Sequence, residues 1–582
     1  MDQGQLIKNL AAVWLETYRA QFRTTLANGE IKPFVIPYTL FGAFFLPVLY
    51  LSIPHRNRPW LYRLRWVVAA AMVWFNVRTM QTTSSTSMAV AYATGLMAAW
   101  GTIWGLTVVV FMEDVQVRAA RVDRRPRQHS NGGIRDGSAN GHAQDGNGNG
   151  MVRNGNGTGH VGNGNGNGHI RVTTEKGERL DKEAETETKG KRRVWVDESV
   201  AAVINDHEYY WQPFPETGSF MERLGWVCDL YTSFRGTGWN WAVRTISTPH
   251  FSGFNSPVNL SIIPLVTRTG CSRSTTYRSF FVSRLWHITW SWLVLDLWTL
   301  VFRRDPYFIV GPEYARQPFN YPLPSFLAPP LPRSILSLFR SLGGFSGTLA
   351  GLFFYMYFYQ LLLISLSLLF PGWLGVRGQL WQYPSIFGSF DNIYDKGLAG
   401  FWGGWWHQTF RTAFTAPTAF LVRNRLLPHP EHTKYGKVTK VVVEGAVAFL
   451  QSGLLHASGG FTAVSDRTWF WGPVVFFMSS FLGILLQTAF CAVFKHQIQR
   501  LPRTARRGGN LVFVVLWLHF TCWALVDDMS RAGLWMFEPV PFSPLRLLGI
   551  GWKDDMNPWR WDMEYCSRWY TGRNWWESGI RL

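Results

Sequence analysis

The chain has 582 residues, of which 16% are charged and 16% aromatic, against about 25% charged residues in a typical soluble protein. This composition excludes a string of ordinary soluble domains, a small secreted disulfide scaffold and a wholly disordered chain. The five cysteines are scattered without a CxxC pair, so the sequence predicts neither a disulfide framework nor a metal site. The lysines and arginines behind the net charge of +20 lie largely in short loops between apolar runs, which favours membrane topology over nucleic-acid binding.

Apolar runs of about 20 residues, the length of a membrane-crossing helix, recur along the chain. The clear candidates are 34–53, 88–112, 279–302, 346–370, 470–494 and 510–528, and the weaker ones are 66–82, 398–421 and 439–458. They predict an all-α fold, a polytopic integral membrane helical bundle with about eight or nine transmembrane helices. The lipid bilayer is therefore a predicted partner, and nucleic acid is not.

Composition also divides the chain into five parts. Asn-Gly repeats and charged residues between the apolar runs predict a segment that cannot bury enough apolar surface to fold. The predicted parts are N-terminal membrane helices at 1–114, a disordered Asn/Gly-rich loop at 115–193, an interfacial segment with RGTGWNW at 194–278, a catalytic membrane bundle at 279–530 and an aromatic-rich C-terminal tail at 531–582.

Three short loops are strongly basic, namely 54–65, 422–440 and 499–509. The tendency of basic loops to remain in the cytosol predicts that all three lie on that side. The spans 439–458 and 470–494 then form a hairpin, and His456 lies toward the far end of its helix.

The first motif that can carry chemistry is GAVAFLQSGLLHASGG, 445–460. An ionisable residue inside a span is costly, so His456 is a functional candidate. Ser452 precedes it by four residues and shares its helix face. An imidazole can remove a proton from an alcohol near neutral pH. The alternative is a histidine that only bonds a neighbouring helix or lies at the polar interface.

The second motif is FWGGWWHQTFR, 401–411, in which His407 and Arg411 are one turn apart. An arginine near a helix end can bind phosphate, and a nearby imidazole can orient a thioester or a hydroxyl. Trp406 and Gln408 flank the histidine and are candidates for substrate binding. The alternative is an interfacial aromatic belt with an arginine that reaches the headgroups.

Three further features have competing explanations. RGTGWNW, 235–241, is best explained as a tight structural turn on aromatic surface. Asp391 and Asp395 are four residues apart and could hold a magnesium diphosphate, as in membrane prenyltransferases, if a second acidic cluster at 527–528 completed the site. Asp296 lies within an apolar span, where we expect it to pair with an arginine or histidine of the bundle.

FWGGWWHQTFR, followed about 45 residues later by SGLLHASGG at 452–460, resembles the wax synthase-like branch of the membrane-bound O-acyltransferase superfamily. RGTGWNW is similar to an element of fungal members of the secondary-metabolite O-acetyltransferase type. The resemblance covers roughly 30–110 and 194–530. It implies that His456 is the intramembrane catalytic histidine and that His407 ends the tryptophan-rich motif.

The resemblance implies an enzyme that moves an acyl group, chiefly acetyl, from acetyl-CoA or acyl-CoA to a hydrophobic alcohol. A terpenoid or meroterpenoid of secondary metabolism is the expected acceptor. No bound cofactor is expected, and the implied location is the endoplasmic reticulum. Ser452, His407 and Gln408 are candidate donors to the oxyanion of the transition state. The alternatives are a long-chain wax ester or sterol ester synthase, a prenyltransferase built on Asp391 and Asp395, and a non-enzymatic transporter or scaffold.

Overall fold

A computed structural model describes residues 3–126, 207–314, 332–370, 375–430, 434–463, 467–561 and 566–582. Most of the predicted loop insert lies outside these residues. Its first part does not, because residues 115–126 form a short helix and a strand that pairs with 207–212. Residues 115–126 therefore have regular structure, although the sequence predicts that the disordered loop begins at 115.

The described elements are mostly helical. The helices are α1 Gln3–Ala27, α2 Leu46–Leu51, α3 Pro59–Arg63, α4 Arg65–Thr82, α5 Met88–Leu106, α6 Val115–Arg118, α7 Phe220–Thr232, α8 Tyr277–Phe302, α9 Pro306–Ile309, α10 Arg333–Leu369, α11 Asp391–Gly400, α12 Arg411–Arg423, α13 Lys434–Ala463, α14 Trp471–Val493, α15 Lys495–Arg500, α16 Arg503–Thr521, α17 Trp523–Arg531 and α18 Pro544–Leu547. The strands are β1 Lys32–Pro33, β2 Val35–Ile36, β3 Thr83–Ser84, β4 Arg121–Pro126, β5 His207–Gln212, β6 Arg568–Tyr570 and β7 Gly579–Arg581. β1 pairs with β3 in parallel, whereas the β4–β5, β2–β7 and β6–β7 pairs are antiparallel.

Six helical segments of the described chain are long and apolar enough to cross a membrane. They are Met88–Phe111, Tyr277–Phe302, Ser334–Leu369, Tyr435–Ala463, Trp471–Val493 and Arg503–Arg531. The predicted span 34–53 contains only a shorter apolar helical segment, Tyr38–Leu51, and 66–82 corresponds to α4. The fold is that of a polytopic helical membrane protein, as the apolar runs predict.

The basic loops meet at one end of the bundle. Arg65 and Arg423 line the same cavity of about 320 Å³, and Arg423 donates a hydrogen bond of 2.8 Å to the carbonyl of Phe111, where the α5 span ends. The short connection after α13 returns the chain along α14, so the two form the predicted hairpin. α16 then begins at this same end, which we call the basic end.

Residues 398–421 do not form the continuous helix that the sequence predicts. α11 begins at Asp391, which pairs with Arg507 near the start of α16. A π-helical turn, Phe401–Trp405, continues it inward, the chain turns at 406–410, and α12 returns to Arg423. Both ends of this segment lie at the basic end, so residues 391–423 form a re-entrant hairpin with its turn inside the bundle. Hydropathy alone cannot distinguish such a hairpin from a span.

α5 and α13 pack in close contact beside His456. A β-carbon on Gly95 would lie 1.9 Å from the backbone oxygen of Ser458, so only glycine fits there. Thr462 ties the two helices further, since its hydroxyl donates to the carbonyl of Ala91 at 2.7 Å and accepts from the amide of Gly95 at 3.0 Å. This interface fixes the position of α13 along the axis of α5.

The C-terminal residues dock on α8 through buried charges. Asp296, 1% exposed, accepts hydrogen bonds from the Ser543 hydroxyl and the Leu545 amide, and it lies 3.6 Å from the Arg546 guanidinium. Arg546 also pairs with Asp555 at 2.8 Å. The prediction that Asp296 pairs with an arginine or histidine is confirmed for the residue type, but its location was wrong, because Arg546 belongs to the C-terminal part of the chain and not to the bundle.

Candidate active site

His407 lies in the turn of the re-entrant hairpin, enclosed by aromatic rings. The rings of Trp406, Phe410 and Phe387 have centroids 5.3, 5.5 and 6.1 Å from that of the imidazole. Its Nδ1 atom is buried and has no hydrogen-bond partner among the described residues. A buried nitrogen without a partner is costly unless a ligand supplies one, so this imidazole is available to a substrate.

His456 lies on α13, two turns before the helix ends at Ala463. Its ring stacks on Phe477 of α14, with centroids 5.2 Å apart and planes 15° apart. Its Nδ1 atom is also buried without a partner in the described part of the chain. Tyr92 of α5 donates to the backbone oxygen of His456 at 3.3 Å, which helps to hold this turn of the helix. Ser452 lies one turn earlier and is partly buried.

The fold brings the two histidines into one region. His407 lies within electrostatic range of His456. The ring of Trp402 contacts those of Trp406 and Phe477, which in turn adjoin the two imidazoles, at 5.7 and 5.6 Å between centroids. The side chain of Gln451 on α13 donates to the carbonyl of Phe414 on α12 at 3.1 Å, so the hairpin is fastened directly to the His456 helix.

Gln408 and Arg411 hold the hairpin turn together. The Gln408 amide donates to the backbone oxygens of Trp402 and Trp406 at 2.8 and 2.7 Å, which satisfies carbonyls left open where the helix ends. Arg411 donates to the Gln408 side-chain oxygen at 2.9 Å. Because both amide hydrogens of Gln408 are engaged, this arrangement favours a positioning role for Gln408 over direct contact with substrate.

The RGTGWNW element folds as the structural turn that the sequence favours. Gly236 and Gly238 have φ values of +64° and +80°, which glycine adopts without strain. Trp239 is fully buried beneath them. Arg235 donates to the backbone oxygens of Pro384 and Ser385 at 3.3 and 2.9 Å, just before the hairpin. The turn therefore supports the segment that leads to His407.

The acidic pairs do not form one metal site. Arg507 pairs with both Asp391 and Asp395, and its hydrogen bond holds the pKa of Asp391 below its ordinary value. Residues 527–528 follow Arg507 by about 20 largely helical residues, roughly 30 Å along the axis. Within the described ranges, no group of three or more His, Cys, Asp or Glu side chains is placed to hold a metal ion.

We therefore expect Asp391→Asn to keep activity within about twofold and EDTA to leave the rate unchanged. The physical reason is that the carboxylate is engaged by Arg507 at the basic end, away from the turn that holds His407. Activity of the purified chain would be measured before and after chelation, and after Mg²⁺ is added back. Loss on chelation with recovery on Mg²⁺ addition would instead support the prenyltransferase alternative.

Sequence reasoning missed two buried arginines near this region, Arg273 and Arg284. Arg284 lies inside the α8 span. Because a charged side chain within a membrane-crossing helix is costly, this arginine could have been recognised as a candidate from the sequence. Arg273 lies in an irregular loop whose sequence carries no comparable signal.

Comparison with known proteins places these motifs in a family. Residues 383–479, which include both histidines, match the model of the membrane bound O-acyl transferase family. The chain is 24% identical over 355 residues to acetyltransferase atnC of Arthrinium sp, covering 58% of this chain and 70% of that protein. It is 25% identical over 359 residues to O-Mevalon transferase yanI of Aspergillus niger, covering 60% and 67%. Acetyltransferase spyB of Aspergillus fumigatus is 30% identical over 170 residues, 28% of this chain and 26% of that protein.

No solved structure matches the chain. The six membrane-length helices and the match across both histidine motifs define a multi-pass membrane enzyme. The chain is an O-acyltransferase, as the two motifs indicated, and its residues 383–479 are similar to the membrane-bound O-acyltransferase family. Its relatives among fungal acetyltransferases agree with the branch that the sequence resembles.

Proposed function

We propose that the protein transfers an acyl group from acyl-CoA to the hydroxyl of a hydrophobic acceptor, with His456 as general base and His407 as its partner in the site. The observation that carries this proposal is that two imidazoles lie in one region of the bundle, linked by the adjoining rings of Trp406, Trp402 and Phe477, and that each has a buried Nδ1 atom without a partner among the described residues. Catalysis of acyl transfer requires a base for the alcohol and a donor for the developing oxyanion.

In the proposed reaction the acceptor hydroxyl attacks the carbonyl carbon of the thioester. The imidazole of His456 takes the hydroxyl proton as the new carbon–oxygen bond forms. The carbon–sulfur bond then breaks, and the departing CoA thiolate receives the proton from the imidazolium. No acyl-enzyme is needed, and neither motif contains a cysteine. Trapping an acylated form of the enzyme would overturn direct attack.

His407 is proposed to stabilise the oxyanion or to orient the thioester. Its place in the turn of the hairpin lets it approach a substrate that also reaches His456, and the surrounding aromatic rings limit the access of water. Ser452 is a second candidate for substrate contact, since it lies one turn from His456. Trp406 forms part of the aromatic wall, and Arg411 holds Gln408.

Acetyl is the acyl group that the relatives favour. Two of those described above are named acetyltransferases, and a third is named an O-mevalon transferase. We propose acetyl-CoA as the donor, a terpenoid or meroterpenoid alcohol of secondary metabolism as the acceptor, and the endoplasmic reticulum as the location. A long-chain wax ester or sterol ester synthase is the alternative within the same reaction class.

The test uses microsomes from yeast that express the chain, supplied with acetyl-CoA or a long-chain acyl-CoA and a panel of hydroxylated terpenoids and fatty alcohols. Mass spectrometry would identify esters that are absent from microsomes without the protein. Acetyl esters support the proposal, and long-chain esters move the protein to the wax or sterol ester alternative. Ester formation that is unchanged by both His456→Ala and His407→Ala would contradict it.

A further inference from the structure

Three arginines cluster beside the re-entrant hairpin, in a group we call the arginine cluster: Arg235, Arg273 and Arg284. Arg273 and Arg284 are only 7% and 4% exposed. Arg235 lies within electrostatic range of each of the other two. The cluster therefore concentrates three positive charges in a largely buried part of the molecule.

No carboxylate balances this charge among the described residues. Arg284 donates to the Gln360 side chain at 2.8 Å and to the carbonyl of Tyr383 at 3.0 Å, and Arg273 donates to the carbonyl of Ser247 at 2.6 Å. None of the three arginines takes part in a salt bridge within the described ranges, unlike Arg377 nearby, which pairs with Asp229. A buried charge without a counter-charge is strongly unfavourable.

Several of the donor groups also have no partner. The Nε and Nη1 atoms of Arg273 and the Nε atom of Arg235 are buried without a hydrogen bond in the part of the chain that the structure describes. Burial, with a smaller effect from Arg235, lowers the pKa of Arg273 to about 10, so its guanidinium stays charged at neutral pH. Backbone carbonyls thus engage only part of the cluster's donor capacity.

The cluster lies close to the candidate active site. Arg235 is within electrostatic range of His407 and contacts the segment that enters the hairpin. The loop that carries Arg273 is fastened to that segment, because the amide of Ser385 donates to the carbonyl of Ser272 at 2.8 Å. Tyr277, the first residue of α8, donates to the carbonyl of Gly378 at 3.1 Å, which places Arg284 two turns into a helix that starts beside the same segment.

We propose that the arginine cluster is a phosphate-binding subsite that receives a phosphate group of the acyl donor's CoA. This inference rests on the proposed function, since it assumes an acyl-CoA donor. The planar fork of a guanidinium can donate two parallel hydrogen bonds to the oxygens of one phosphate. The Nε and Nη1 atoms of Arg273, which have no hydrogen-bond partner among the described residues, provide such a pair of donors. Arg235 and Arg284 also donate hydrogen bonds to the backbone of residues 383–385, so their substitution would disturb that segment. Arg273 does not, and we therefore assign the recognition of phosphate chiefly to Arg273.

The experiment measures binding to the purified full chain in detergent, so that it does not depend on finding the acceptor alcohol. The probes are CoA, inorganic pyrophosphate, and pantetheine, which lacks all phosphates. Arg273→Gln removes the charge, and Arg273→Lys keeps the charge but loses the fork. Arg506→Gln is the matched control, because it removes the same charge from an exposed position at the basic end.

We expect Arg273→Gln to weaken CoA binding roughly tenfold to a hundredfold, the effect of losing hydrogen bonds to a charged group. Arg273→Lys should give an intermediate loss, and pantetheine binding should not change in either variant. Arg506→Gln should bind all three probes as the unaltered chain does. An equal loss of affinity for CoA and for pantetheine in Arg273→Gln would show that Arg273 has only a structural role, and it would overturn the inference.

The remaining outcomes separate this inference from the proposed function. Equal CoA binding by the unaltered chain and Arg273→Gln would overturn the subsite while leaving the acyl-CoA donor intact. Pyrophosphate binding that depends on Arg273, without any CoA binding, would support a phosphate subsite and contradict both the CoA donor and the assignment of its phosphate. Failure of the unaltered chain to bind either probe would overturn both proposals.

Discussion

His456→Ala is expected to lower the rate of acyl transfer by between about a hundredfold and ten-thousandfold, the usual contribution of a general base. The physical reason is that the change removes the imidazole proposed to take the hydroxyl proton, and the methyl group of alanine cannot accept a proton. The rate would be measured with a radiolabelled acyl-CoA and an acceptor that the unaltered chain esterifies.

The matched control for this change is His496→Ala. His496 is exposed at the basic end and is expected to be replaceable without loss of rate. Both variants should elute from a sizing column as the unaltered chain does, because neither removes a buried hydrogen bond that the structure records. Full activity in His456→Ala would contradict the assignment of the base.

Asp296→Ala is expected to lower the stability of the protein strongly. The change leaves Arg546 less compensated in a fully buried position and removes the acceptor for Ser543 and Leu545. Breaking a buried ion pair from one side costs about 3–5 kcal/mol of unfolding free energy. The thermal midpoint of the detergent-purified chain should fall markedly, with loosening of the C-terminal residues detected by limited proteolysis.

Asp395→Ala is the control for this second prediction. Its carboxylate pairs with Arg507 at 3.2 Å but is about half exposed, and an exposed pair of this kind contributes at most about 1 kcal/mol. A thermal midpoint for Asp296→Ala as high as that for Asp395→Ala would show that the buried network does not hold the C-terminal residues in place.

Much of the membrane fold could be predicted from the sequence, because about 20 apolar residues have few alternatives to a membrane-crossing helix. The re-entrant hairpin at 391–423 could not be predicted in this way. It depends on Gly397, which has a φ of +58°, and on Gln487 of α14, whose side-chain oxygen accepts a hydrogen bond of 2.9 Å from the backbone amide of the buried Leu398. The contact with Gln487 joins residues that are far apart in the sequence, so it cannot be read from the sequence alone. The hydropathy of 398–421 is that of a weak candidate for a membrane-crossing helix.

The histidines themselves were predictable, since an imidazole in an apolar run is conspicuous. Their meeting was not, because it follows from the hairpin. The partner of Asp296 was predictable as a residue type but not by position, since Arg546 lies 250 residues further along the chain. Arg273 gave no signal, because an arginine in a polar loop is ordinary until its burial and missing carboxylate are known.

The central claim is that the re-entrant hairpin places His407 and His456 in one catalytic site. A double-mutant cycle tests it most directly, with acyl-transfer rates measured for His407→Ala, His456→Ala and the double variant. Residues that act as a unit give strongly non-additive losses. A second double variant, His456→Ala with His496→Ala, shows the rate expected when the second histidine lies outside the site.

We expect the double variant to lose little more activity than His456→Ala alone, because removing either imidazole already disables the shared step. The combination with His496→Ala should likewise match His456→Ala, while His407→Ala by itself should be clearly impaired. Losses for His407 and His456 that multiply in full would mean that the two histidines act separately, and that result would contradict a single site formed by the hairpin.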